Sequence, residues 1–183
     1  MFKLSHPKGT EWEKHSHRRV FHLPEAVDAS PRIIAGVPDS DPEVMLRLAR
    51  TLEGPLILLY VLHTSRGEAE TGRYQSPDLD RAELEGFFDE FWQFLSTDAR
   101  FDLWVHAPDA SATLVWDRHD LLHAYGPLDR FAAELEALGF EPGQPEVPAH
   151  HAHHYHAEQD ALAKRLIARF DWRCSPLRPE DVQ

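Results

Sequence analysis

One cysteine, two methionines and no apolar run beyond seven residues mark this 183-residue sequence. With Cys174 alone, no disulfide forms within the chain and no cluster of thiolates holds zinc. The setting Trp172-Arg173-Cys174-Ser175-Pro176 reads as that of an incidental thiol. The longest apolar run, Leu56–Leu62, is far too short to span a bilayer. Residues 1–9 are polar and have no apolar h-region, so a secretory signal is not expected and the cytoplasm is the expected compartment. Gly67 and Gly72 have the spacing of a phosphate loop, but Arg73-Tyr74 stands where that loop needs Lys-Ser/Thr. Neither Gly-x-Gly-x-x-Gly nor Gly-x-Ser-x-Gly occurs. Positive charge is also scarce. Nineteen basic residues face thirty-one acidic ones, and a formal net charge of −12 opposes binding to nucleic acid and to anionic membrane surfaces.

What is present is the composition of an ordinary folded domain, 42% apolar and 27% charged, long enough to bury a core without disulfides. Residues 1–30 read as an extended N-terminal arm with a strand-like piece at 19–23. Residues 31–174 read as a single domain, and 175–183, rich in proline and charge, as a disordered tail. Within the domain, residues 32–36 read as a strand. Ser40-Asp41-Pro42-Glu43 has the form of a capping box opening a helix that carries Val44, Leu48 and Leu52 on one face and stops at Gly54-Pro55. Leu56–Leu62, apolar at every position, reads as a central strand covered on both faces. Residues 64–77 read as a polar loop.

The clearest helix follows. Asp80 and Glu83 form its capping box, Leu79 and Leu84 a hydrophobic staple, and Leu84, Phe87, Phe88, Phe91, Phe94 and Leu95 one buried stripe. Strands at 101–106, 113–116 and 121–125 are joined by Pro108-Asp109-Ala110 and by Asp117-Arg118-His119-Asp120, which predicts an antiparallel meander. Gly126-Pro127 opens another helix, bearing Phe131 and Leu135 and ended by Gly139. A stiff connector at 141–149 leads to a last helix over 157–170. The fold class is therefore α+β, a mixed, largely antiparallel sheet with helices mainly on one face.

Thirteen histidines are the unusual ingredient, and seven residues hold five of them: His150-His151-Ala152-His153-His154-Tyr155-His156. Neutral imidazole is the commonest ligand for zinc and other divalent transition metals, provided two or three converge. As a strand the tract aligns His150, His154 and His156; as a helix it pairs His150 with His154. Ligands from distant segments would complete a site. His151 stands where the metalloprotease motif needs its glutamate, so that motif is excluded. On the meander, His106 and His123 lie on neighbouring strands, with Asp102, Asp117, His119 and Asp120 nearby, and would make half of a metal site or a His–Asp dyad. The plainer reading makes His119 and Asp120 turn residues and His106 and His123 half-buried sheet residues. Arg66, Arg73 and Tyr74, in the polar loop, are candidates for holding an anion, although Asp78, Asp80 and Glu83 crowd the next helix start and oppose it.

Two functions fit these residues. The first is a non-enzymatic binding or protein-interaction module, with a protein partner or self-association through the aromatic meander of Trp104, Trp116 and Tyr125. The second is a metal-dependent hydrolase using the histidine tract, which requires an open coordination position and a base beside it.

Overall fold

Alternation of buried and half-buried residues along three consecutive strands sets the architecture. In the computed structural model, which describes residues 1–23 and 31–181, these strands are β7 (Phe101–Ala107), β8 (Ala112–Trp116) and β9 (Leu121–Tyr125). Phe101, Leu103, Val105, Leu114, Trp116, Leu122 and Ala124 are fully buried on one side. Asp102, Trp104, His106, Thr113, Val115, His123 and Tyr125, the residues between them, are half-buried on the other.

The preceding elements are β1 (Leu4–Lys8), β2 (Glu11–Lys14), β3 (Val20–His22), β4 (Ile33–Gly36), α1 (Glu43–Ala49), β5 (Leu56–Leu62), β6 (Gly72–Leu79) and α2 (Arg81–Thr97). After the meander come α3 (Leu128–Ala137), β10 (Glu141–Pro142), β11 (Ala152–His153), α4 (Asp160–Ile167) and β12 (Arg173–Ser175). The large sheet has the order β10-β3-β4-β9-β8-β7-β5-β6-β12, and a small one the order β11-β1-β2. Among the described residues only the β10–β3 pair is parallel. Helices α1, α2 and α3 lie against one face of the large sheet, so the fold is α+β with a mixed, mostly antiparallel sheet. The opposite face of the meander is left half-open. No helix among the described residues is long and apolar enough to cross a membrane.

Helix α2 forms as its sequence dictates. Asp80 accepts from the Glu83 amide and Glu83 reaches back to the Asp80 amide, both at under 3 Å. Leu79 and Leu84 are buried, and Phe87, Phe88, Phe91 and Phe94 are fully excluded from solvent. Four such rings together stabilise the fold by roughly 6–12 kcal/mol before conformational entropy is counted. Helix α3 ends at Gly139, whose φ of +81° is the left-handed stop, with Phe140 buried beyond it.

Other segments differ from expectation. The Ser40–Glu43 capping box does not form: the Glu43 amide at the start of α1 donates instead to Asp41 Oδ1 at 3.0 Å. Ser40 donates its hydroxyl to the buried carboxylate of Asp120, a charge-assisted bond. Leu56–Leu62 is fully covered on the helical side only, since Ile57 and Leu59 are half-buried. The second part of the polar loop, residues 72–77, belongs to strand β6, paired with β5. Its register shifts opposite Ser76-Pro77, where Leu58 N–H donates to Ser76 Oγ. A proline is tolerated at such an irregularity.

The last helix is shortened to α4, preceded by a 3-10 turn at Ala157–Gln159. Trp116 faces the core and donates to Asp120, which leaves Trp104 and Tyr125 as the outward aromatics of the meander. The C-terminal segment docks through Asp181: β12 pairs with Arg73, Tyr74 and Gln75 of β6, and Asp181 is buried in an ion pair with Arg73. Backbone pairing and one ion pair hold a segment whose own apolar content is small. The N-terminal arm is a β1–β2 hairpin followed by β3, an integral strand of the large sheet; its residues 24–30 lie outside the described residues.

Candidate metal centre and its pocket

The histidine tract is fixed as extended chain by its backbone. β11 pairs antiparallel with Leu4 and Ser5 of β1, His154 N–H donates to Lys3 O at 2.8 Å, and Ala99 N–H donates to His154 O at 3.0 Å. Its far end is tied by His156 N–H to Asp98, in a buried network where Arg100 binds Asp98, Glu68 and Asp160. Extended chain sends alternate side chains to opposite sides, so His151 and His153 share one side.

Facing them is His119, in the turn between β8 and β9. The Asp117 carboxylate shapes that turn by accepting the amides of His119 and Leu121 at 2.8 and 3.0 Å. His17 supports the turn from behind, donating Nε2–H to His119 O at 2.8 Å. Gly36 makes room for His17, because a Cβ there would lie 2.6 Å from the His17 Cβ. Asp120, with φ +58°, completes the turn. Its buried carboxylate lies 3.1 Å from Lys3 Nζ and accepts from Trp116 Nε1 and Ser40 Oγ. Lys3 is itself fully buried, with Nζ 4.0 Å from the Trp116 ring centroid. The Lys3–Asp120 pair therefore joins the strand that aligns His153 to the turn that carries His119.

His119, His151 and His153 form a triangle with ring centroids 4.9–5.2 Å apart. One nitrogen from each ring lies within 4.8 Å of the other two. Zinc bound tetrahedrally at 2.0–2.1 Å holds its ligand nitrogens about 3.3 Å apart, so the three rings would close in on a bound ion. The hydrogen bonding of the rings suits a metal. His151 Nδ1 donates to Pro148 O at 2.8 Å, which leaves Nε2 with its lone pair. His153 Nε2 is buried without a hydrogen-bond partner among the described residues. Burial, reinforced by His119, His151 and Arg118, lowers the His153 pKa to about 3, so this ring is neutral at pH 7. Asp117 Oδ2 lies 3.7 Å from His119 Nδ1 and 3.5 Å from His123 Nε2. Burial pushes the Asp117 carboxyl up, but bonds to those two histidines outweigh it and hold the group well below the usual carboxylate range.

The turn bearing His119 also forms one end of a cavity of about 520 Å³ on the half-open sheet face, with Trp104, Val115, Asp117, His123, Tyr125 and Arg32 in its wall. A metal on the three histidines would thus sit at the edge of a space large enough for a small molecule.

The residues singled out from sequence are distributed differently. His150 is exposed. His154 lies 2.8 Å from Ser5 Oγ and edge-on to Phe2, and His156 donates to Phe2 O. These two rings stack on each other on the side away from His151 and His153. His106 bonds Thr113 Oγ1 at 2.9 Å and is not brought to His123, which stands beside Asp117. Of the five proposed ligands, only His123 reaches the neighbourhood of the triangle. The anion-site candidates are engaged elsewhere: Arg66 with Asp160, Arg73 with Asp181, and the Tyr74 hydroxyl with Glu70 O. His151 and His153 carried a signal in the same period-two pattern, read on the opposite face; His119 was noted only as a neighbour of the His106–His123 pair and as a turn residue. No family model, curated protein or solved structure matches the chain.

Proposed function

We propose that the protein is a metal-dependent hydrolase acting on a small molecule, with zinc or a similar divalent transition metal held by His119, His151 and His153. The observation that carries this reading is the position of His119, at once a corner of the histidine triangle and part of the pocket wall. Three histidine ligands would leave a fourth coordination position open, and the metal they hold would supply Lewis-acid activation of water or a substrate oxygen. Asp117 orients His119 and the neighbouring His123 from a carboxylate that stays ionised. His123 lies on the pocket wall beside Asp117 and is the group placed to take a proton there.

The test is hydrolysis of a panel of p-nitrophenyl esters and phosphates by untagged protein. Turnover should vanish with EDTA, return with zinc, and be lost in His119→Ala while His154→Ala retains it. No turnover across the panel would favour the binding-module reading, for which the same pocket is the ligand site, and zinc-independent turnover would overturn the metal dependence.

A further inference from the structure

The pocket has a second polar end, away from the histidine triangle. Arg32, on the chain entering β4, and Trp104, on β7, both contribute to its wall. Arg32 Nε and Trp104 Nε1 are buried N–H donors without a hydrogen-bond partner among the described residues. Native proteins rarely leave buried donors unpaired, and two on one pocket wall indicate a ligand that brings acceptors. The Arg32 guanidinium lies 5.7 Å from the Tyr125 ring centroid, and no carboxylate among the described residues is within ion-pair distance of it.

The acidic groups of the wall are otherwise engaged. Asp102 accepts from Arg118 N–H and lies 2.8 Å from His63, Asp117 holds its turn, Asp181 pairs with Arg73, and Glu180 lies 3.7 Å from Arg178. Between the two ends the wall carries Val115, the Trp104 and Tyr125 rings and the His123 imidazole. Thr113, opposite Tyr125, and Asp117 are four residues apart along one strand line, so the ends are about 13 Å apart.

We propose that the pocket takes an elongated, partly apolar carboxylate, with its carboxylate forked by Arg32, its body over Val115 beside Trp104, and its far end at the histidine triangle. The carboxylate subsite stands on the unpaired donors alone; the placement of the far end rests on the metal-centre reading above. The open Nε edge of a guanidinium presents two parallel N–H groups, which match the two oxygens of a carboxylate. An amide or alcohol of the same shape fits that fork with one acceptor only.

Calorimetric titration of metal-free protein with 4-phenylbutyrate tests the subsite without the metal. The acid should bind at least about 10-fold more tightly than 4-phenylbutyramide. Arg32→Gln should lose about 10- to 100-fold in affinity for the acid and little for the amide, the range of a charged hydrogen-bonded contact. Arg32→Lys, which keeps the charge without the fork, should fall between, and Trp104→Phe should lose a smaller factor. Zinc binding should be unchanged in Arg32→Gln, and binding of the acid to metal-free protein unchanged in His154→Ala, a position away from the pocket. Equal affinity for acid and amide, or an Arg32→Gln protein that melts like wild type and still binds the acid fully, would overturn the proposal. Absence of zinc binding alongside intact acid binding would instead remove only the metal centre.

Discussion

Lys3→Met is the most informative single perturbation of the scaffold. Lys3 and Asp120 are both shielded from solvent and their charged atoms are 3.1 Å apart. Methionine keeps the volume of the aliphatic stem and removes the cation. Asp120 then keeps hydrogen bonds from Ser40 and Trp116 but faces no compensating charge. Removing one partner of a buried pair costs about 3–5 kcal/mol, and the two surviving bonds place this case at the lower end, about 3 kcal/mol. For a chain of this size that is a fall in melting temperature of about 6–12 °C. Lys3→Met combined with Asp120→Asn should recover part of the loss, because no unpaired charge is left behind. The same pair joins the segments bearing His119 and His153, so zinc affinity should fall about 10- to 100-fold in the single variant, as it does when outer-shell partners are lost. Thermal melts and zinc titrations on one preparation give both numbers. A Lys3→Met protein within about 0.5 kcal/mol of wild type and with full zinc affinity would refute the role given to this pair.

Truncation before Arg173 should lower the melting temperature by several degrees in a thermal scan, because it strips β12 from β6 and leaves Arg73 buried without Asp181; an unchanged melt would mean that the tail contributes nothing in solution. Metal-free protein should lose stability between pH 6.5 and pH 4. Burial lowers His153 to about 3 and His15 to about 4, so below pH 6.5 the unfolded chain binds protons that the folded chain does not. Each group should contribute about 1 kcal/mol to the loss after solvent screening, read as a lower urea midpoint at pH 4.5 than at pH 7.5. A midpoint that rose on acidification would contradict the burial of these rings.

Local patterns were legible in the sequence and pairings across the chain were not. Helix α2 was readable because its cap and phenylalanine stripe lie within four residues of one another at every step. Strand β6 was not, because Gln75, Pro77 and Asp78 look like loop until β5 and β12 are placed beside them. Ser40 carried a local capping signal, yet its hydroxyl bonds a distant carboxylate, Asp120. The histidine tract shows the limit most clearly. Its period of two was evident, but two interleaved sets satisfy it, and the pairing of β11 with Leu4 and Ser5 decides which set meets His119. His119 itself is a turn residue, given its place by Asp117, His17 and the Lys3–Asp120 pair.

Zinc titration of untagged wild-type protein beside His119→Ala and the double variant His154→Ala/His156→Ala tests the metal centre most directly. Wild type and the double variant should each bind about one equivalent at pH 7.5 with sub-micromolar affinity and melt at a higher temperature once loaded. His119→Ala should lose about 100-fold or more in affinity and the thermal gain, because it removes one of three ligands and the only one on the pocket wall. Several weakly held ions, no rise in melting temperature, and a larger loss in the double variant than in His119→Ala would contradict the centre on His119, His151 and His153.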